Sequence, residues 1–444
     1  MFRHLMLVLS ALILLQSLPA AAETPANPPT ETSVEHKTFD AGTATAAYMA
    51  TMSAAAVARS NAYFEGGYWL VLWDAVAGIG CAWLLLGTRL SARIRDFAER
   101  TTRFRWLQTG IYAVAYILLT TLILLPWSAY EGYFREHQYG MSNQDLGAWL
   151  GDTLKGLVLA LIFGTLALVA IYAVIRKVGK LWWVWGAGIV LAFFILQAVI
   201  APTYLEPVFN NFYPLPDSPL KQQVLSLARA NEIPAQQVYE YDASKQTTKI
   251  SAHVSGLLGT AQISLNDNLM KRASPEEVKA VLGHEMGHYV LNHEYKGILF
   301  LLVVGVIGFA FIAKAFDRLA ARHASRWQIR GVGDPAGLPL LIGLATVYGF
   351  VLTPIVNTFS RNIEIEADAF GLNAARQPDG FASIAVQLSE YRKMQPGPIE
   401  EFVFFDHPSG WNRIHRAMVW KAENLDTPDI KAYDATHHGP GSPP

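Results

Sequence analysis

The residues best suited to chemistry form a His-Glu-x-x-His motif at His284, Glu285 and His288. Histidines four positions apart project from one face of a helix, and their nitrogens can bind one Zn²⁺ ion at about 2.0–2.1 Å. Glu285 can take a proton from an attacking water, whose pKa a zinc ion lowers while polarising a carbonyl. The same residues could also occupy an ordinary solvated helix face, so the motif alone leaves both interpretations open.

A third ligand is available in the stretch NTFSRNIEIEADAFG at residues 357–371. On a helix, Glu364 and Asp368 share one face, whereas Glu366 points roughly the opposite way. Glu364 can complete a His2Glu site that leaves a fourth position open to water, and Asp368 can orient a ligating histidine. An acidic, solvated helix start is the alternative. Taken with the first motif, however, the pair favours one zinc ion per chain.

The stretch FFDHPSGWNRIHRA, residues 404–417, adds further candidates. His407 and Arg413 can donate hydrogen bonds to a tetrahedral oxyanion or to a substrate carboxylate. Without the metal motifs, the stretch would be interpreted as a loop followed by a helix start, and His415 receives no role. His293 lies nine residues after His284, about half a revolution away on a continuous helix, and is therefore excluded as a ligand.

Two kinds of local structure would position these residues. Ser274 as N-cap, Pro275 in the first turn and Glu277 three residues after the cap predict a helix with a capping box that runs to Gly297. The segments QVYEYDAS and GTAQISLND are strand-like and bounded by turn residues, which predicts a small β-sheet beside the helix.

Most of the remaining chain is apolar. Of 444 residues, 52% are hydrophobic and 16% charged, and the apolar residues form blocks long enough to cross a bilayer. The shortest of these blocks has a buried core helix as its alternative. We therefore predict a mostly α-helical, polytopic membrane protein of six to seven spans that carries a metalloprotease domain with a small β-sheet. The predicted spans are 68–87, 107–126, 156–176, 181–202, 297–313 and 337–357.

The chain ends differ from the spans. A charged start, the apolar run 5–18 and the small residues 19–22 predict a signal peptide over residues 1–22, with an uncleaved first membrane helix as the alternative. The polar segment 23–60 and the tail 427–444 are predicted to be disordered. Membrane helices then occupy 61–202 and 297–357, and the two parts of the catalytic domain occupy 203–296 and 358–426.

Loop charges predict the orientation in the membrane. Basic residues are concentrated in three loops that lie on one side if every span is real, and by the positive-inside rule this side is cytoplasmic. The catalytic segments then face the periplasm of a bacterial inner membrane. A net charge of −1 gives no indication of nucleic-acid binding. The basic loop residues are Arg89, Arg93, Arg95, Arg100, Arg103, Arg105, Arg176, Lys177, Lys180, Lys314, Arg318, Arg322, Arg326 and Arg330.

Over roughly residues 60–420, the sequence resembles the type 1 CAAX prenyl endopeptidases, integral-membrane zinc proteases of the gluzincin class. The resemblance rests on HEMGH at 284–288, SRNIEIEAD at 360–368 and the His-Pro at 407–408 followed by Arg413. Supporting similarity appears in EHQYGMSNQ at 136–144 and EPVFNNFYPLPDSPLK at 206–221. The family implies seven membrane helices around an internal chamber.

The resemblance also implies roles for individual residues. Zinc would be held by His284, His288 and Glu364, with Glu285 as general base. Asp368 would support the ligands or donate a proton, and His407 and Arg413 would stabilise the transition state and hold the substrate. A peptide substrate would lie along an edge strand near ISAHVSGLLGT, residues 250–260. At this strand the family typically has an Asn after His-Ser, whereas this chain has His253-Val254-Ser255.

Two questions about function stay open at the level of sequence. A periplasmic site does not meet cytosolic prenylated proteins, so a peptidase acting on membrane-associated or misfolded envelope proteins, lipidated or not, competes with a prenyl protease. A multi-pass transporter or a non-catalytic scaffold is the alternative of another class. The spans are nearly free of ionisable residues, with Asp74 the clearest exception, which disfavours a transporter. Glu285, which zinc binding alone does not require, disfavours a scaffold.

Overall fold

The structure is a computed structural model that describes residues 39–255 and 261–437. The predicted signal peptide, the first part of the predicted linker (residues 23–38), the end of the predicted edge strand (residues 256–260) and the last seven residues lie outside this range. The predicted fold class is confirmed, because the described residues are mostly helical and contain long apolar helices together with one small sheet.

The helices of the first half are α1 Ala41–Ala50, α2 Ala54–Gly87, α3 Leu90–Thr101, α4 Arg105–Ala129, α5 Glu136–Tyr139, α6 Leu146–Leu159, α7 Thr165–Val178, α8 Trp182–Ile200, α9 Glu206–Phe209 and α10 Pro219–Ala230. Those of the second half are α11 Asp267–Arg272, α12 Pro275–Val290, α13 His293–Arg322, α14 Ala324–Trp327, α15 Leu338–Ala375, α16 Pro378–Leu388, α17 Pro398–Phe404, α18 Gly410–Glu423 and α19 Pro428–His437. Several of them continue into one another through short π-helical or 3₁₀ segments.

Five helical stretches in the described residues are long and apolar enough to cross a membrane, and together they contain all six predicted spans. The stretch Leu146–Phe209 contains two of them. A single 3₁₀ turn at Gly179–Leu181 separates α7 from α8, and these helices pack side by side. Gly179 adopts φ +59°, a backbone conformation that glycine tolerates better than other residues. The chain therefore reverses there within a three-residue turn.

The three basic loops meet on one side of the helices, as their charge pattern predicts. The Nε of Arg89 donates to the carbonyl of Arg326 at 3.0 Å, which joins the first loop to the third. The Nε of Arg176 donates to the carbonyl of Gly333 at 3.1 Å, which joins the second to the third. Arg95 is buried in an ion pair with Asp334 at 2.6 Å, so part of this positive charge also stabilises the fold.

The polar domain contains a four-stranded mixed sheet in the order β1-β2-β4-β3. The strands are β1 Phe212–Pro214, β2 Val238–Tyr241, β3 Ala252–Ser255 and β4 Gln262–Asn266. The two strands predicted from turn-bounded segments are β2 and β4, and they pair in parallel at the centre. The β3 strand pairs antiparallel with β4 and forms an edge, and it packs against α12.

Two segments that we predict to be disordered are helical where the structure describes them. Residues 41–60 belong to α1 and the start of α2, which Asp40 and Ser53 cap at their N-termini. The hydroxyl of Tyr48 on α1 donates to Asp379 at 2.9 Å. The tail forms α19. An ion pair between Lys421 and Asp434 at 2.8 Å connects this helix to α18. The prediction is wrong for these residues because packing compensates for their low hydrophobicity.

The helix that carries the His-Glu-x-x-His motif begins as predicted but ends earlier. The Ser274 hydroxyl accepts from the Glu277 N–H at 3.2 Å, and the Glu277 carboxylate accepts from the Ser274 N–H at 2.7 Å, so the capping box is confirmed. The helix ends at Val290 instead of Gly297, because Asn292 adopts a left-handed conformation with φ 57°. A new helix, α13, begins at His293 in a different direction.

The α12 helix crosses α15 at very short range, which brings the two motifs together. A Cβ atom added at Gly371 would lie 2.7 Å from the backbone nitrogen of His284. One added at Gly287 would lie 3.1 Å from the Cα of Ala367. Only glycine allows the two backbones to approach this closely. The crossing thus places the histidines of α12 opposite the carboxylates of α15.

Candidate metal centre

Three side chains converge where α12 and α15 cross. The Nε2 atoms of His284 and His288 lie 3.2 Å apart. The Glu364 carboxylate lies 3.2 Å from His284 Nε2 through Oε2 and 3.6 Å from His288 Nε2 through Oε1. These residues form the His/Cys/Asp/Glu cluster in the described part of the chain whose ligand atoms all lie within 4.8 Å of one another.

This geometry fits a tetrahedral zinc site. Ligand atoms at about 2.0–2.1 Å from a zinc ion in tetrahedral geometry lie about 3.3 Å from one another. The observed separations of 3.2, 3.2 and 3.6 Å bracket that value. The Oε2 atom of Glu364 is buried without a hydrogen-bond donor, a costly arrangement for a carboxylate that a cation would relieve. The donor set of two imidazoles and one carboxylate is also the one that zinc enzymes use for catalysis.

Asp368 contacts the Nδ1 side of His284, the first histidine of the motif. Its Oδ1 lies 2.7 Å from His284 Nδ1, and only 1% of its side chain is exposed. A proton on Nδ1 leaves the Nε2 lone pair of His284 directed at the cluster. The predicted orienting contact of Asp368 is therefore present in the structure.

Arg413 contacts this same carboxylate. Its Nε and Nη2 donate to the two oxygens of Asp368 at 3.0 and 2.6 Å, a two-pronged ion pair. We predicted from sequence that Arg413 donates to an oxyanion or to substrate. In the structure, two of its nitrogens donate to Asp368, and through this contact Arg413 helps to fix the orientation of His284. Donation to an oxyanion or to substrate stays a prediction.

His288 has a supporting contact from His293, a residue to which the sequence analysis gave no role. His293 Nδ1 lies 3.0 Å from His288 Nδ1, and His293 Nε2 lies 3.1 Å from Glu366 Oε2. If His288 binds metal through Nε2, its proton is on Nδ1 and is donated to His293, which in turn donates its Nε2–H to Glu366. His293 is not a member of the three-residue cluster, which agrees with its exclusion as a ligand. The sequence analysis assumed one continuous helix, and the break at Asn292 is what allows His293 to contact His288.

This relay predicts an effect on metal affinity. Replacing His293 by phenylalanine removes the acceptor for His288 Nδ1–H while keeping an aromatic ring, and we expect zinc to bind about 10–100-fold more weakly. Glu366→Gln keeps an acceptor oxygen on a side chain that is 49% exposed, so its effect should be smaller. Competition with a chromogenic chelator measures the zinc dissociation constants of both variants. Glu294→Gln, a substitution next to His293 on α13, is the control. Unchanged affinity in His293→Phe would show that the relay does not support the ligand.

The two histidines of the cluster titrate differently. Burial opposes a charge on His284, but the adjacent carboxylates of Asp368 and Glu364 outweigh it and raise the pKa of His284 to about 9. Burial, together with the neighbouring His284, lowers the pKa of His288 to about 4. His288 is thus neutral at pH 7, whereas His284 would have to release a proton in order to bind a metal.

Glu285 directly follows His284 on α12, and the charges of His284, Glu364 and His253 act on its carboxyl group. Burial, opposed in part by the charge of His284, raises the pKa of its carboxyl group, which suits a residue that accepts and returns a proton. The edge strand β3 packs against the same helix. On that strand, His253 lies 3.6 Å from Glu206, and its Nε2 atom is buried without a hydrogen-bond partner.

His407 completes the site from the loop before α18. Its Nε2 lies 3.2 Å from Glu364 Oε2, and its Nδ1 lies 2.9 Å from Asp406 Oδ1. The sequence analysis assigned no role to Asp406, although its position directly before His407 makes it a candidate partner for that ring. His415 lies apart from the site, where its ring stacks on Trp411.

Comparison with known proteins agrees with this geometry. Residues 214–421 match peptidase family M48, and residues 37–211 match the CAAX prenyl protease N-terminal region of five membrane helices. The chain belongs to peptidase family M48. It is therefore a membrane metalloprotease, and the transporter and scaffold alternatives are not favoured.

Relatives of this M48 peptidase come from bacteria and eukaryotes. The chain is 32% identical over 345 residues to the uncharacterized metalloprotease YhfN of Bacillus subtilis, an alignment that spans 77% of this chain and 80% of the relative. It is 24% identical to the human CAAX prenyl protease 1 homolog, with 76% and 78% covered. The crystal structure of Ste24p from S. mikatae superposes with a TM-score of 0.71 at 22% identity and covers 83% of this chain and 89% of that one, which shows a common fold.

Proposed function

We propose that this M48 peptidase is a zinc endopeptidase in which His284, His288 and Glu364 hold the ion. The convergence of their three ligand atoms beside Glu285 carries the proposal. Zinc, when bound, would lower the pKa of a water molecule and polarise the carbonyl of the scissile peptide bond. Side chains of the protein transfer the protons and stabilise the developing negative charge.

Glu285 acts first as general base and then as general acid. It takes a proton from the attacking water and returns one to the leaving amine, and its raised pKa favours the return. His407 donates from Nε2 to the developing oxyanion when its ring carries both protons. Asp406 stabilises that form at Nδ1, whereas burial and the charge of Arg392 oppose it and lower the pKa of His407. Arg413 acts through Asp368, whose contact fixes the orientation of His284.

The substrate would be an extended peptide. The free edge of β3 offers backbone donors and acceptors next to α12, so a peptide can add to the sheet as a further strand. The Nε2 atom of His253 on this strand lies 3.6 Å from Glu206 Oε2 and has no hydrogen-bond partner among the described residues. The described part of β3 ends at Ser255, in the region where the sequence departs from the family pattern.

The membrane setting favours substrates from the cell envelope. The meeting of the three basic loops supports a cytoplasmic location for that side, which would place the catalytic domain in the periplasm of a bacterial inner membrane. Membrane-associated or misfolded envelope proteins, lipidated or not, are then the accessible substrates. A cytoplasmic reporter fused to the C-terminus should stay inactive and a fused alkaline phosphatase should be active; the reverse result would exclude this orientation.

Matched peptides test the substrate class. Zinc-loaded protein in detergent micelles is given one peptide sequence with an unmodified cysteine and the same sequence with a prenylated cysteine. We expect both to be cleaved with kcat/KM values within about tenfold, the effect of 1.4 kcal/mol. Cleavage of only the prenylated peptide would identify a prenyl protease and reject the broader specificity.

A further inference from the structure

A cavity beside the metal centre carries a cation that the mechanism does not use. Arg392 lines this cavity together with His407, Arg413, Asp406, Phe64 and Phe405. Arg392 follows α16, and its backbone carbonyl accepts a hydrogen bond from Ser60 on α2 at 3.1 Å. The side chain thus projects from a fixed point of the backbone into the space next to His407.

The other charges around this cavity are paired. The guanidinium of Arg413 binds Asp368, and Asp406 binds the ring of His407. Lys393, the neighbour of Arg392, forms ion pairs at 2.6 and 2.7 Å with carboxylates on α2 and α17. Each of these cations or anions therefore has its counter-charge within the protein.

Arg392 differs from them. In residues 39–255 and 261–437, no carboxylate lies within the 4.0 Å ion-pair distance of its side chain, and its Nη1 atom is buried without a hydrogen-bond partner. The cavity has aromatic walls at Phe64 and Phe405. Burying a guanidinium nitrogen without a hydrogen-bond partner costs free energy. A bound anion offsets this cost, because charge-assisted hydrogen bonds in a buried site are stronger than those in water.

We propose that Arg392 binds a carboxylate of the peptide substrate next to the scissile bond. The inference rests on the proposed peptidase function, because the cavity shares His407 with the catalytic site. The planar guanidinium fork matches a carboxylate in a way that a lysine ammonium does not. Peptides carry this group at the C-terminus and on Asp and Glu side chains, and both sources offer the same chemistry. Arg392 thus determines specificity either for the C-terminal carboxylate or for an acidic side chain of the substrate.

A set of matched peptides separates the two sources. The zinc-loaded full chain is assayed with one neutral peptide sequence as the C-terminal acid and as the C-terminal amide. The amide series is then repeated with one Glu, or one Gln, placed in turn at each position. The parent should cleave one carboxylate peptide about 10–100-fold faster, in kcat/KM, than its amide or Gln counterpart. A preference for the C-terminal acid or for one Glu position identifies the source.

Variants then connect the preference with Arg392. In Arg392→Gln we expect the preference to fall to less than about threefold, because the carboxylate peptide loses more kcat/KM than the neutral peptide does, and in Arg392→Lys we expect the preference to be partly restored. Lys393→Gln, which removes the adjacent paired cation, should keep the parental preference. A parent that does not distinguish the peptides, or an Arg392→Gln variant that slows all of them equally, overturns the proposal.

A binding measurement distinguishes failure of this proposal from failure of the proposed function. Acid and amide peptides are titrated onto zinc-loaded Glu285→Gln protein with Arg392 present or replaced by Gln. Zinc content and melting temperature confirm that each variant is folded. If the parent cleaves no peptide, the peptidase function fails, and binding alone decides the role of Arg392. Tighter binding of a carboxylate peptide that depends on Arg392 supports the site, and equal binding overturns it.

Discussion

Replacing Glu285 by glutamine is expected to lower kcat by about 10²–10⁴-fold, the usual contribution of a general acid–base group. The amide has nearly the same shape as the carboxylate but cannot accept a proton from water. Because Glu285 is not among the three clustered ligands, the variant should still bind one zinc per chain. Peptide hydrolysis and zinc content, measured on the same preparation, check the two halves of this expectation.

The control for this substitution lies on the same helix. Glu276→Gln changes a carboxylate in the first turn of α12, remote from the ligands in sequence, and should keep parental activity and zinc. A Glu285→Gln protein that retains its zinc and hydrolyses peptides as fast as the parent would exclude Glu285 as the base. Loss of zinc in that variant would instead indicate that Glu285 helps to hold the ion.

Removal of the Glu364 carboxylate should have the second large effect. In Glu364→Ala, the remaining protein ligands are two histidines, and the buried carboxylate that neutralises the cation is lost. We expect zinc affinity to fall by more than the roughly 100-fold limit seen when only a supporting contact is removed. Hydrolysis at limiting zinc should disappear with it. Equilibrium dialysis against a zinc buffer gives the affinity directly.

A neighbouring residue provides the comparison for the Glu364 variant. Asn362 is exposed on the same helix, and Asn362→Ala should bind zinc like the parent. Treating the parent with a chelator should abolish hydrolysis, and adding one equivalent of zinc should restore it. Parental zinc affinity in Glu364→Ala would show that the third ligand is another residue.

The comparison of sequence and structure is clearest at the two long motifs. The spacing of His284 and His288 and the period of Glu364 and Asp368 define helix faces, and the structure keeps both pairs on those faces. The capping box is equally local and is present as predicted. Hydropathy predicted the spans, because a bilayer requires a minimum apolar length whatever the packing of the helices.

The errors arise where packing overrides a local pattern. The apolar and polar residues after Val290 are compatible with a continuous helix, but the chain bends at Asn292. That single left-handed residue brings His293 to His288 and Glu366 to His293. The helices within residues 41–60 form for a similar reason, since the domain against which α1 packs lies more than 300 residues further along the chain.

By itself, the sequence determined the membrane-spanning class, the helix faces and the set of ligand types, since each depends on local spacing or on composition. Only the tertiary structure decided which groups meet. It paired Arg413 with Asp368. Among the described residues, it left the Nη1 atom of Arg392 without a hydrogen-bond partner in the cavity beside His407. It also brought α12 and α15 together through glycines 84 residues apart at Gly287 and Gly371. The physical reason is that electrostatic pairing and close packing depend on distances in space, which residues far apart in the chain acquire only when the whole domain folds.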